Sequence, residues 1–358
     1  MLKRSHLREY SARATAITCV LAAVLVAAAQ PVRADKIVVS NWDGYMPKDM
    51  AERFKKATGH DLEVAVHATN EEIMGKVTAN KGEGYDVLFV SGQFAQALRA
   101  LGIADKLDHG KLPNLANLYP EGRALKHDPG NTFSTPYAWG TTGLCYRSDL
   151  VKDAPSSWND LLQPKDDLRG KLTMLATDRW LLASAMLALG FSVNEKDTKK
   201  LDDVKNLLIK AKSGLLAYDD TTFYSKLVSK EALLVQAWDG WCNYGITENK
   251  DIKYVIPKEG SDLWVDTMVV VSSSKHKDAA HAFINFVLDA ENGKWVVENI
   301  LYKVPNKAAM ETINPDLKQT YPNLAITPAE LLKFEQLLDV GETQKAYSKI
   351  VAEIQAAK

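Results

Sequence analysis

Between residues 36 and 90 the chain alternates short apolar runs with stretches in which apolar residues recur every three or four positions. Lys36–Ser40, Leu62–Val66 and Tyr85–Val90 are the apolar runs, rich in Val and too short for helices, and they read as strands, the first of the buried type. Between the first two, Pro47 opens a helix with Met50, Ala51, Phe54 and Ala57 on one face and Gly59 as its stop. Asn70–Val77 is the next helix. A β-α-β-α-β order predicts a parallel, doubly wound sheet, and such sheets bind ligands beyond the carboxyl ends of their strands. Trp42, Asn70 and Ser91 fall at those ends.

The pattern continues downstream. Thr141–Tyr146 reads as a crossover strand. Leu172–Leu175 is a strand, followed by a helix through Leu189, and Leu201–Ala211 is a further helix. Leu233–Trp238 is a strand that ends in Trp-Asp-Gly-Trp, Thr267–Ser272 is another, and Ala279–Leu288 is a helix with an apolar face. No repeat, low-complexity tract or long linker interrupts the series. Two interleaved α/β lobes fit, with crossings near residues 139 and 262.

The amino terminus changes the compartment. Lys3, Arg4, Arg8 and Arg13 precede an apolar run from Ala14 to Ala29, and Val32-Arg33-Ala34 supplies small residues for cleavage. This is the pattern of a secretory signal peptide cut after Ala34; the run falls short of the roughly 20 residues a spanning helix needs. The mature chain is expected to be exported, periplasmic and not membrane-embedded. Removing five basic and one acidic leader residues from 44 and 45 leaves 39 against 44. That weak acidity argues against nucleic acid and favours a cationic ligand. Cys145 and Cys242 remain; export permits a bridge within the second lobe, and two separate buried thiols are the alternative. No cysteine or histidine spacing suggests a metal site, and no cofactor motif is present. His60 and His67 read as surface or sheet-edge residues.

Catalytic patterns are missing from the sequence: there is no Gly-x-Ser-x-Gly elbow and no phosphate loop. Asp219-Asp220 reads as a solvated turn or a helix cap. More informative are two echoing stretches, Val38–Pro47 and Tyr254–Gly260 with Trp264-Val265-Asp266. Each puts a Trp beside an Asp at the end of a short β-like run. An aromatic face next to a carboxylate is what holds an organic cation in water. Trp42, Trp238, Trp241 and Trp264 all lie near an Asp or Gly at expected strand ends, where a box around a ligand is easier to build than a core.

In order along the chain stand Asn41-Trp42-x-x-Tyr45-x-Pro47, Tyr85-Asp86-Val87, Pro136-Tyr137-x-Trp139-Gly140, Trp158-x-x-Leu161, Trp238, Pro257-Lys258-Glu259-Gly260, Trp264-x-Asp266 and Pro305-Asn306-x-Ala308-Ala309. This set resembles the periplasmic spermidine/putrescine-binding proteins of ABC importers over essentially the whole mature chain. The resemblance implies a two-lobed periplasmic-binding-protein fold, each lobe a mostly parallel sheet flanked by helices, with the ligand in the interlobe cleft. It implies lobes of 35–138 plus 264–309 and of 139–263 plus 310–358. It also implies a non-enzymatic, monomeric receptor that closes on a small amine and hands it to permease subunits.

Carried over by position, the ligand-stacking aromatics are Trp42, Tyr45, Trp238 and Trp264, the amine-binding carboxylate is Asp266, and Ser91 is a polar neighbour. The chain departs from the family at Asp43, at Gln93 and in Ala176-Thr177-Asp178-Arg179-Trp180, where a Trp stands in place of a common acid. A diamine needs an anion at each end, because an unpaired buried ammonium costs several kcal/mol. Asp266 serves one end; Asp43, Asp178, Asp220 and Asp239 are candidates for the other. Thr177, Arg179 and Trp180 complete the expected contacts. If Arg179 faces the ligand, an ω-amino acid becomes a candidate, with an opine or a quaternary amine as further alternatives; otherwise Arg179 belongs to a solvent-facing or hinge salt bridge.

Overall fold

The computed structural model describes residues 34–357. The expected leader, Ala34 apart, lies outside the described residues. The first three strands form as the apolar runs predict: β1 (Lys36–Asn41), β2 (Asp61–Val66) and β3 (Val87–Ser91). They pair in parallel in the order β2-β1-β3. The helix after β1 runs Met50–Thr58 and stops at Gly59, whose φ of 80° is the left-handed turn that favours glycine. Its Phe54 meets Phe283 of the helix Lys277–Val287 at 5.4 Å between ring centres. Both are fully buried, a gain of about 1.5–3 kcal/mol each.

The rest of the framework hangs on β4 (Thr135–Arg147), which runs through both halves of the molecule. The later strands are β5 (Leu172–Met174), β6 (Ala217–Tyr218), β7 (Leu234–Trp238), β8 (Ile252–Val255), β9 (Asp262–Val270) and β10 (Glu335–Gln336). Up to Thr141, β4 pairs antiparallel with β9, which also pairs with β3. From Thr142 onward it pairs with β7 and β8. β7 continues in parallel to β5, and β5 to β6. Each half keeps its parallel strands, β2-β1-β3 and β7-β5-β6, and β4, β8 and β9 add antiparallel pairs, β9 returning through the first half in the opposite direction.

Two strands are longer than the apolar pattern suggests. β4 starts before Thr141, where Pro136 supplies no N–H and the register shifts between Pro136 and Ala138. β9 starts at Asp262 rather than Thr267, so Asp262, Trp264 and Asp266 lie within a strand and not in a loop. The indole of Trp264 is buried. Trp238 does end β7, as expected, but Trp241 lies within the helix Asp239–Glu248.

A second apolar cluster joins Leu144, Trp158, Met174, Leu181 and Tyr347. Trp158 is fixed there by its indole N–H, which donates to the Gly260 carbonyl at 3.0 Å. Cys145 of β4 and Cys242 of the helix Asp239–Glu248 are joined by a disulfide, which settles the choice that spacing left open. His60 and His67 are buried rather than at the surface. His60 Nδ1 accepts from the Asp35 amide, and His67 Nδ1 pairs with the Ser40 hydroxyl. Among the described residues no helix is long and apolar enough to cross a membrane.

Candidate functional site

The carboxyl ends of the strands bring one carboxylate into focus. In the antiparallel register, Asp266 stands opposite Ser91 on β3 and Ala138 on β4. The Ser91 hydroxyl donates to Asp266 Oδ1 and the Tyr45 hydroxyl to Oδ2, both at 2.7 Å. Ser91 is itself held by Asn70, whose Oδ1 accepts from the Ser91 amide and whose Nδ2 donates to the Ser91 hydroxyl. Tyr45 is held in turn by Tyr137, whose hydroxyl donates to the Tyr45 carbonyl. Burial raises the Asp266 carboxyl to about 6, and the Ser91 and Tyr45 hydrogen bonds oppose that rise. Burial, followed by the nearby Asp266 charge, pushes the Tyr45 phenol well up, so it stays a neutral donor.

Aromatic rings run outward from this carboxylate. Tyr45 meets Trp42 edge-on at 5.4 Å and Tyr302 at 6.0 Å, and Tyr302 meets Trp264 at 5.2 Å. Trp264 and Asp266, two residues apart on β9, share one face of the strand. Trp180 and Trp238 form a second edge-on pair at 5.4 Å. The indole N–H groups of Trp180 and Trp264 are buried and have no protein acceptor. Rings around a partly desolvated carboxylate can hold an alkylammonium by charge and by cation–π attraction together.

The other expected residues have varied placements. Asp43 is exposed. Gln93 is buried, with both amide atoms unpaired to protein. Asp220 accepts from the Ala176 amide and the Thr177 hydroxyl, each at 2.7 Å, and burial raises its pKa. Asp178 accepts from the Ser348 hydroxyl. Asp219, the residue before Asp220, caps the following turn through Thr221 and Thr222 and pairs with Lys226.

Two expected contacts are committed elsewhere. Arg179 is buried, and its guanidinium donates to the Leu338 and Val193 carbonyls and to Asn194 Oδ1 while lying 5.5 Å from the Tyr347 ring centre. It is neither a solvent-facing bridge nor a partner of the Asp266 cluster. Asp239 is buried against Lys303, with Nζ 2.5 Å from Oδ2, and also accepts from the Thr141 amide and hydroxyl. Its charge is therefore already met.

Sequence reasoning missed Tyr302, Lys303 and Glu71. Tyr302 and Lys303 lie just before Pro305-Asn306-x-Ala308-Ala309, a motif the resemblance had marked, so position could have flagged them. Glu71 opens the helix Asn70–Asn80; burial raises its pKa, with the Asp178 and Asp220 carboxylates adding to the rise. An acid on a helix start carries no such signal in sequence.

Comparison with known proteins identifies the family. Residues 49–325 match the family model of bacterial extracellular solute-binding proteins. The spermidine/putrescine-binding periplasmic protein of Escherichia coli K12 is 30% identical over 323 residues, 89% of this chain and 91% of the relative. The putrescine/cadaverine-binding protein of Pseudomonas aeruginosa is 29% identical over 354 residues, 93% of this chain and 97% of the relative. The solved substrate-binding protein PotD of a Streptococcus pneumoniae spermidine/putrescine ABC transporter superposes with a TM-score of 0.77 at 27% identity, covering 90% of this chain and 99% of that one. Such matches, over a two-sheet α/β scaffold with an aromatic-walled carboxylate at its strand ends, place the chain in the bacterial extracellular solute-binding protein family.

Proposed function

We propose that this chain is the periplasmic receptor of an ABC importer for a small polyamine of the putrescine, cadaverine and spermidine class. The observation that carries the reading is Asp266: a carboxylate cradled by Ser91 and Tyr45 and set against Trp42, Tyr45, Tyr302 and Trp264. The printed functions of the full-length relatives support it. Receptors of this kind bind and release without turnover, so no catalytic group is assigned. Export with cleavage after Ala34, a monomeric state and delivery to membrane permease subunits belong to the same reading. The ω-amino acid alternative loses its main support with Arg179, whose guanidinium is taken by Leu338, Val193 and Asn194.

Two lobes close on the ligand, exchanging the chain at Gly140–Thr141 of β4 and Asp262–Leu263 of β9. We place the third crossing at β10 instead of residue 309. Glu335 there accepts from Ser192 and Val193 of one lobe, whereas Gln336 accepts from the Lys126 amide of the other. Leu331, just before it, packs with Leu125, Trp139 and Val265 of the first lobe and the crossing. Titration calorimetry against diamines, triamines, amino acids and betaines tests the ligand class. A bound polyamine at 100 times its Kd is expected to add roughly 2.7 kcal/mol of stability. Binding confined to amino acids or betaines would refute the reading.

A further inference from the structure

Lys303 and Asp239 are both almost wholly buried, at 2% and 1% exposure. They sit beside the ligand face, not behind it. Gly140 pairs with Trp264 and Ala138 with Asp266 across β4 and β9, and directly opposed residues of an antiparallel pair share a face. A Cβ on Gly140 would stand 2.3 Å from the Trp264 ring and 2.5 Å from Asp239 Oδ1. The Asp239 carboxylate therefore lies over Gly140, on the face that carries Trp264 and Asp266. Two strand residues separate the Gly140–Trp264 pair from the Ala138–Asp266 pair, a step of about 7 Å. The Tyr302 ring connects the same groups: it packs on Trp264, and a Cβ on Gly240 would stand 2.3 Å from it.

Two acids thus line one floor at neighbouring steps, and their situations differ. Asp266 receives only neutral hydroxyl donors. Asp239 receives an ammonium from its own chain, with Oδ1 left without a partner. A buried carboxylate is stable only when its charge is met, and here Lys303 meets it with or without a ligand.

We propose that Lys303 is a specificity residue: a tethered ammonium that occupies Asp239 and leaves Asp266, of these two acids, open to a ligand cation. This rests on the amine-receptor reading above and deepens it. The floor accepts one ammonium head, and the remaining charge of a polyamine has to be met away from it. A ligand with a further cation within one strand step of the first meets Lys303 and is disfavoured. Removing the Lys303 ammonium gives the Asp239 carboxylate to the ligand and extends the site toward more highly charged amines.

The test is titration calorimetry of butylamine, putrescine and spermidine with wild type, Lys303→Ala, Asp239→Asn and the Lys303→Ala/Asp239→Asn double variant. Lys303→Ala is expected to raise the putrescine-to-butylamine affinity ratio about tenfold, the size of one charge-assisted contact. The double variant is expected to return that ratio to the wild-type value. Asp239→Asn leaves the ammonium unpaired beside the floor and is expected to weaken spermidine more than butylamine, which keeps the inference testable where Lys303→Ala does not fold. A ratio within twofold of wild type in Lys303→Ala would overturn the inference, as would equal losses for all three amines in Asp239→Asn. Wild-type protein that binds none of the amines would instead overturn the receptor reading itself.

Discussion

Lowering the pH from 7.5 to 5 is expected to weaken amine binding through a single group. Asp266 holds its proton up to about 6 in the free protein because burial disfavours its charge. An ammonium partner favours the charged form, so binding requires the proton to leave. At pH 7.5 nearly every free molecule has an ionised Asp266; at pH 5, about one in ten does. Putrescine Kd is expected to rise about tenfold, or 1.4 kcal/mol. Stability of the free protein moves the other way. The folded pKa lies above the ordinary 3.8, so the contribution of this group is full below about pH 4 and is lost as pH rises through 6. Two pKa units set its ceiling near 3 kcal/mol.

Calorimetry and urea melts across pH 5–7.5 read both trends, with Asp266→Asn as control. Asp262, raised by burial to about 7, titrates within this window, burial also raises the Glu71 and Asp220 carboxyls, and His67, lowered by burial to about 4, stays neutral. The control isolates Asp266 from these groups. An unchanged wild-type Kd between pH 7.5 and 5 refutes the argument. So does a tenfold loss that persists in Asp266→Asn.

Arg179→Leu is expected to remove about 3 kcal/mol of stability, because it strips charged donors from Leu338, Val193 and Asn194, while putrescine Kd stays within twofold. A normal urea midpoint with lost binding would show that the guanidinium serves the ligand instead. Replacing both Cys145 and Cys242 by Ala opens a link between residues 97 apart and is expected to lower stability by about 2–4 kcal/mol. A change under about 1 kcal/mol in the urea midpoint analysis would contradict that.

The first half of the fold was legible because β1 and β3 are apolar runs, and β2 a Val-containing one, Leu62–Val66, broken only by Glu63, between helices with clear stops. β6 and β10 were not, since two residues carry no period. The start of β9 was hidden by its chemistry: Asp262 and Asp266 break the apolar pattern of a strand. At the site, the Trp-x-Asp spacing singled out Trp264 and Asp266, which β9 carries on one face. Local sequence could not show that Lys303 takes Asp239 across 64 positions, or that Arg179 turns to Leu338 across 159. Pairings of that span depend on how strands cross, and crossing order is set by the whole sheet.

Gly140 has a consequence for how such a receptor changes its diet over evolutionary time. One hydrogen atom there separates the Trp264 ring from the Asp239 carboxylate. Any larger residue would push apart groups contributed by two different segments of the chain, so the position offers no room for gradual drift. Drift at this one position would require the Trp264 ring and the Asp239 carboxylate to move together, so a change of ligand comes more cheaply from exchanges elsewhere, with this glycine left in place.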